Sequence, residues 1–127
     1  TFINSPGKLD GAYRLKDKPN LFFAGQMTGV EGYIESASSG MVAGINAALS
    51  YFGKDVVFFP KTTALGALSS YISNPAVNDF QPMNINFGLM DPLDIRIRDK
   101  RKKNFEISQR ALGKVRQIKD EIEKLFL

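Results

Sequence analysis

A short apolar run, a glycine-rich turn and a long helical pattern follow one another, and this order constrains the chain more than any other feature. Residues 21–24 read LFFA, which is typical of a short strand buried on both faces of a parallel sheet. Residues 25–32 contain three glycines. Residues 33–51 predict a helix that Gly53 ends. The order strand, turn, helix predicts an α/β fold.

The middle of the chain predicts shorter elements. Residues 56–59 are consistent with a short strand or an extended run, and residues 62–72 with a helix capped by Thr62 or Thr63. Residues 76–95 combine prolines and a glycine with spaced apolar side chains, which indicates an ordered loop with apolar anchors.

A long helix is predicted from about Asp94 towards the end of the chain. Its apolar residues are spaced alternately four and three positions apart, which places them in one stripe along the helix. This stripe is predicted to face a partner surface, while basic residues occupy the rest of the helix. The stripe consists of Ala111, Val115, Ile118, Ile122 and Leu125.

The positive charge of the chain is concentrated near its end. Residues 96–127 contain 11 basic and 5 acidic residues, whereas residues 1–95 contain 6 basic and 8 acidic residues. Such a segment suits an anionic partner such as RNA, or alternatively it is a solvated helix face. The candidate RNA-binding residues are Arg96, Arg98, Lys100, Arg101, Lys102 and Lys103.

Composition excludes several kinds of chemistry. With no Cys and no His among 127 residues, the chain offers no disulfide, thiolate zinc site, thiol nucleophile or imidazole base, and we expect no metal site within it. Any catalysis by this chain would need carboxylates, Lys, Tyr or a cofactor. No apolar run approaches the roughly 20 residues that span a bilayer, so we expect a cytoplasmic location and no membrane partner. A sequence that begins with Thr1 instead of Met suggests an engineered truncation, a proteolytic product or a missing upstream region of the same polypeptide.

The glycine turn suggests a binding site. A buried strand that delivers a turn to a helix start brings unpaired backbone N–H groups and the positive end of a helix dipole together. Glycines permit close approach, so the turn suits a phosphate or the edge of a flavin ring. The alternative is a turn that serves packing only. The spacing of Gly25, Gly29 and Gly32 differs from the GxGxxG dinucleotide fingerprint.

The stretch AGQMTGVEGYIESASSGMVAGINAAL resembles the closing flavin-binding motif of the folate- and FAD-dependent tRNA uracil-5-methyltransferases. The resemblance extends upstream through Asn4-Ser5-Pro6 and downstream through TALGALSSYI and FQPMNINFGLMDPL. The related GidA-type flavoproteins, which modify wobble uridines, are expected to read closer to GQINGTTGYEEAAAQG. The residues from Gly29 to Ser36 favour the methyltransferase.

The resemblance implies a C-terminal fragment of a Rossmann-like FAD-binding domain (residues 1–55) followed by an α-helical C-terminal extension (residues 56–127). The family uses FAD, methylenetetrahydrofolate and NADH or NADPH to methylate C5 of a T-loop uridine in tRNA. Its catalytic cysteines have no counterpart here, so we expect the fragment to be inactive without the missing N-terminal part. We expect no DNA partner. The implied cofactor-binding residues are Gly25, Gln26, Thr28, Gly29, Val30, Glu31, Gly32 and Tyr33.

Several of these roles have plain structural alternatives. Tyr33 either stacks near the flavin or packs at a helix start, and Glu31 and Glu35 either bind flavin or folate groups or complement the helix dipole. The amides of Gln81, Asn84 and Asn86 are predicted to fix a loop, with a folate or RNA role as the alternative. Phe105 is expected to be buried against the domain, with stacking on a base as the alternative. A free-standing RNA-binding or assembly module is the alternative for the whole chain.

Overall fold

The computed structural model describes residues 2–127, and helices dominate it. A 3-10 turn at Gln26–Thr28 precedes helix α1 (Tyr33–Tyr51), and helix α2 (Ala64–Ser73) follows. A second 3-10 turn at Phe87–Leu89 lies in the loop before helix α3 (Lys100–Leu125). None of the helices in residues 2–127 has the length and apolar character needed to cross a membrane.

The predicted strands do not form within residues 2–127, so the α/β prediction is not confirmed. The described residues contain only isolated bridges, antiparallel at Leu9–Leu15 and Arg14–Phe22 and parallel at Val30–Met83. A strand requires a neighbour that pairs along its length. Residues 21–24 have one bridge to residue 14, and the backbone of residue 57 is bound by a side chain instead of a strand.

That side chain belongs to Asn46, which is fully buried on α1. Its Nδ2 donates to the carbonyl of Val57 at 3.0 Å, and its Oδ1 accepts from the Val57 N–H at 2.7 Å. The amide therefore forms hydrogen bonds with both the N–H and the C=O of one extended residue, as the backbone of a neighbouring strand would. This pair of hydrogen bonds holds the segment after α1 against the helix.

The predictions for α1 and α2 are confirmed. Helix α1 covers the predicted residues 33–51, and the positive φ of Gly53 (73°) reverses the chain beyond it. Helix α2 begins one residue after Thr63, whose hydroxyl accepts from the Gly66 N–H at 3.0 Å. The chain leaves the helical conformation at Asn74, before Pro75.

The predicted start of α3 near Asp94 is wrong, because the helix begins at Lys100. The carboxylate of Asp99 accepts from the backbone N–H groups of Arg101 (2.9 Å) and Lys102 (3.1 Å), and such an N-cap fixes where a helix starts. The predicted stripe is confirmed at its centre: Ile118 is buried and Ile122 packs against the core, whereas Leu125 is exposed.

One hydrophobic core joins the two halves of the chain. It combines residues from the segment before α1, from α1 itself, from the segment between α1 and α2, from α2 and the loop after it, and from α3. Burying these side chains provides the main stabilisation of the fold. The buried members of the cluster are Leu9, Tyr13, Val30, Val42, Ala43, Phe59, Leu68, Ile72, Phe80 and Ile118.

We expect Asn46→Ala to lower the free energy of unfolding by about 2–4 kcal/mol, because it leaves the N–H and C=O of Val57 without their partners. Urea denaturation of the purified protein measures the change. Asn78→Ala, at an exposed loop position, is the control and should stay within about 0.5 kcal/mol of the parent. Equal stability of the two variants would contradict the role assigned to Asn46.

Burial raises the pKa of the Tyr13 hydroxyl well above its usual value. A raised folded-state pKa favours folding below the unfolded pKa, and this contribution is lost as the pH rises above it. We therefore expect stability to fall above about pH 10, by up to about 1.4 kcal/mol per pH unit from this one group. Tyr13→Phe should flatten that part of the profile in denaturation curves between pH 8 and pH 11, and an unchanged slope would contradict the assignment.

Candidate functional site

The glycine turn has the backbone that its sequence predicts. Gly25, Gly29 and Gly32 all have positive φ, at 80°, 97° and 110°. At Gly25 φ is combined with a ψ of −164°, a region that only glycine adopts readily. The turn therefore needs glycine for its shape before any ligand is considered.

The middle of the turn is part of the protein interior. The side chains of Thr28 and Val30 are fully buried, and a Cβ at Gly29 would lie 2.1 Å from the ring of Phe80. The Ser5 hydroxyl donates to the carbonyl of Thr28 at 2.8 Å. Thr28, Gly29 and Val30 thus fix the turn from inside, and the side chains of Thr28 and Val30 do not reach its surface.

A short backbone ladder attaches the turn to the loop after α2. The N–H of Met83 donates to the carbonyl of Gly29 at 2.9 Å, and the N–H of Glu31 donates to the carbonyl of Met83 at 3.0 Å. The amide of Asn84 adds a bond to the carbonyl of Glu31 at 2.7 Å, which confirms its predicted loop-fixing role. For Gln81 the bond is made by its backbone carbonyl, which accepts from the Tyr71 hydroxyl.

Gly25, Gln26, Glu31, Gly32 and Tyr33 form the outer edge of the turn. Apart from Gly25 and its two chain neighbours, no heavy atom of the described residues lies within 4 Å of the position that a Cβ of Gly25 would occupy, and the Tyr33 side chain is 97% exposed. We call these five residues the turn edge. It presents an open backbone next to a solvent-facing aromatic ring.

The turn edge coincides with the start of α1. The N-cap is Gly32, which has no side chain to bond the first N–H groups of the helix, so these donors point outward. Glu35 lies in this first turn, and its carboxylate is next to Gly32, as expected for a residue that complements the helix dipole. The Gly25 N–H is bound to the Ser39 hydroxyl at 2.8 Å. Free donors at the edge therefore come from α1 and not from Gly25.

Sequence reasoning did not identify Ser39, Phe80 and Met83 as supports of the turn. Ser39 had a detectable signal, since it follows the turn by about two helical turns on the buried side of α1. Phe80 and Met83 are about 50 residues away in the sequence, and no local pattern connects them to the glycines.

The basic residues are placed on more than one surface. Arg96 and Arg98 precede α3, and the four lysines and arginines at 100–103 form its first turn. Arg98, Lys100 and Lys103 line one groove, whereas Arg101 and Lys102 line another together with Phe105. Arg96 lines neither of these two grooves. Phe105 is exposed, so the expectation of burial is wrong.

Comparison with known proteins identifies relatives over most of the chain. The family model described as "Glucose inhibited division protein A" matches residues 1–55. Three curated relatives are methylenetetrahydrofolate–tRNA-(uracil-5-)-methyltransferases TrmFO. The protein of Acetivibrio thermocellus is 64% identical over 112 residues, which cover 88% of this chain and 26% of the relative. Those of Anoxybacillus flavithermus and Bacillus subtilis are 56% and 50% identical over 118 residues, covering 93% of this chain and 27% of each relative.

The solved structure of Aquifex aeolicus GidA is similar to part of the fold, with a TM-score of 0.56 and 34% sequence identity. The match covers 61% of this chain and 13% of that protein.

The chain is a homologue of the TrmFO methyltransferases, with identities of 50% to 64% over most of its length, and its first 55 residues match the GidA family model. It spans about a quarter of the length of these relatives.

We expect Gly29→Ala to destabilise the protein by about 2–4 kcal/mol, because it adds the strain of a positive φ to a collision with the Phe80 ring. Gly113→Ala is the matched control: its Cβ would meet open space on α3, and it should stabilise by about 0.5–1 kcal/mol. Denaturation midpoints measure both. A double variant with Phe80→Ala should lose less than the sum of the two single changes, and strict additivity would indicate that the collision is absent.

Proposed function

We propose that the chain is the C-terminal portion of a tRNA-modifying flavoenzyme that methylates C5 of a T-loop uridine. The observation that carries this proposal is the 64% identity over 112 residues with a TrmFO protein, since that match extends well beyond the glycine turn. The one-carbon unit comes from methylenetetrahydrofolate, and NADH or NADPH reduces the flavin. The chain has no cysteine, so the thiols of the reaction belong to the remaining polypeptide and the fragment is inactive alone.

The turn edge is the proposed flavin contact. The outward-pointing N–H groups at the start of α1 suit an electron-rich ring edge or a phosphate, and Tyr33 offers a ring that nothing in the described fold buries. The open space at Gly25 allows a flat group to approach the backbone. These residues fit FAD, which supplies the redox chemistry when bound. Thr28, Gly29 and Val30 support the site from inside.

The exposed face of α1 supports the proposed Rossmann-like domain. Ile34 and Met41 are exposed, and the small residues Ala37, Gly40 and Gly44 lie on the same side of the helix. Small side chains permit a helix to approach a sheet closely. We therefore assign residues 1–55 to a flavin domain whose sheet comes from the missing N-terminal part of the protein, and residues 56–127 to a helical extension of it.

The remaining parts of the proposal follow from the substrate. tRNA is the macromolecular partner, the exposed basic residues from Arg96 to Lys103 contact it, and the cytoplasm is the compartment. Phosphate contacts by such residues make binding dependent on salt concentration.

The GidA-type flavoproteins give a second candidate function, favoured by the family model over residues 1–55 and by the likeness to the Aquifex aeolicus structure. Analysis of the modified tRNA distinguishes the two. A methyl group at C5 of a T-loop uridine supports the first function, and a modified wobble uridine supports the second.

We expect Tyr33→Ala to weaken flavin binding by about 2- to 10-fold in the protein purified with its flavin, because one aromatic contact is worth about 0.5–1.5 kcal/mol. Within residues 2–127 the ring is 97% exposed, so this part of the fold does not depend on it. Tyr51→Ala is the control, at the opposite end of α1 and about 27 Å away. Flavin absorbance after dialysis gives the retained fraction.

Equal retention in both variants would remove Tyr33 from the site. A parent protein that is colourless and takes up no added FAD would contradict the flavoenzyme proposal itself.

A further inference from the structure

A groove lies between the loop after α2 and the beginning of α3. It has a volume of about 700 Å³, within the range of small-molecule and nucleotide sites and too small for a duplex. One wall is the 3-10 turn with Asn86 and Phe87, and the other carries Arg98, Lys100, Lys103 and Asn104. We call it the loop–α3 groove.

The cations of this groove are not compensated within the described fold. The salt bridges of residues 2–127 are Asp10–Arg14, Lys61–Asp91 and Lys119–Glu123, and none includes Arg98, Lys100 or Lys103. The Oδ1 atom of the neighbouring Asp99 accepts from two backbone N–H groups at the helix start, and Asp99 takes part in none of these salt bridges. No acidic residue lines the groove. Three positive charges thus converge on one concavity, where they attract an anionic ligand.

The same groove offers groups that recognise a base. The ring of Phe87 is 43% exposed, and base stacking on such rings is tolerant of sequence. The side-chain amide of Asn104 supplies a hydrogen-bond donor and an acceptor suited to a base edge. Asn86 adds its amide oxygen as an acceptor, while its Nδ2 lies 3.5 Å from the carbonyl of Asn84 and 4.0 Å from the sulfur of Met83, within the loop that it was predicted to fix. A phosphate site alone would not need these groups.

The loop wall is held in place by α3. Arg110 donates from Nη1 to the carbonyl of Pro92 at 2.9 Å and from Nη2 to the carbonyl of Asp91. The N–H of Asp91 in turn donates to the carbonyl of Lys61 at 3.0 Å. The groove is therefore formed without a ligand, which reduces the ordering cost of binding.

We propose that the loop–α3 groove binds one unstacked nucleotide of the RNA substrate. The base stacks on Phe87 and bonds to the amides of Asn86 and Asn104, while the flanking phosphates contact Arg98, Lys100 and Lys103. This inference rests on the proposed function, because it takes RNA as the partner. It adds that the basic residues contact RNA from two separate grooves. Arg101 and Lys102 attract the RNA phosphates electrostatically but do not form part of a base-binding pocket.

The chain provides matched variants for the test. Arg98→Gln with Lys103→Gln and Arg101→Gln with Lys102→Gln each remove one arginine and one lysine, from different grooves. Phe87→Leu keeps apolar volume but loses the aromatic face, and Phe105→Leu is its counterpart in the second groove. The protein purified with its flavin is titrated with a tRNA transcript at salt concentrations from 50 to 200 mM, and separately with tetrahydrofolate.

We expect the Arg98/Lys103 pair to weaken tRNA binding at least tenfold more than the Arg101/Lys102 pair. We expect Phe87→Leu to weaken it roughly 5- to 150-fold, the range for loss of one stacked base, with little change for Phe105→Leu. The salt dependence of the Phe87 variant should match the parent, since no phosphate contact is lost.

Other outcomes overturn the inference. Equal losses for the two charge pairs, with no effect of Phe87→Leu, would show a diffuse electrostatic surface. Loss of tetrahydrofolate affinity with normal tRNA affinity in the groove variants would assign the groove to the folate. A flavin-containing parent that binds no tRNA would overturn both the groove and the proposed RNA partner, whereas normal tRNA binding by a flavin-free parent would contradict only the flavoenzyme proposal.

Discussion

The backbone hydrogen bonds between residues 29–31 and Met83 are the constraint on which the rest of the structure depends. They pair the carbonyl of Gly29 and the N–H of Glu31 on either side of the buried Val30, where no regular strand lies alongside, and an unpaired buried backbone group would cost about 1–3 kcal/mol. Because these bonds fix residues 29–31, they also fix the direction in which the chain enters α1 at Tyr33. The loop after α2 therefore determines the geometry of the glycine turn, although the turn itself carries the recognisable motif.

The elements that sequence predicts well are those with local signals. Helix α1 ends before Gly53, and α2 begins after the Thr63 cap, because caps and helical periodicity are encoded within a few residues. Strand formation depends instead on pairing with another segment of backbone, and the local sequence does not show whether such a segment is present. Asn46 illustrates this limit: a polar residue among small ones gives no indication that its amide will bind the backbone of Val57, 11 residues later.

In the candidate site, too, the features with local signals are predictable and those that depend on distant residues are not. The glycine spacing predicts a turn, but the orientation of its residues depends on Phe80, which makes Gly29 an interior residue. The basic run predicts a positive surface, yet the helix starts at Lys100 and not near Asp94. That shift leaves Arg98 outside the helix, and it changes which basic residues share a face. The number of basic residues in a segment can be read from the sequence. Their distribution over the protein surface depends on where the N-cap of α3 lies.

The loop after α2 links the two proposed sites. Its first part holds the glycine turn through Met83 and Asn84, and its second part forms a wall of the loop–α3 groove through Phe87. Fewer than ten residues thus separate the support of the proposed flavin contact from the proposed RNA contact. A segment this short, tied to α3 by Arg110, has little freedom to let the two sites move independently. In the proposed enzyme, the loop would therefore set the position of a bound nucleotide relative to the flavin. RNA that entered the groove would be oriented before the target uridine reached the cofactor, which is the kind of positioning that lowers the barrier of a reaction between bound partners.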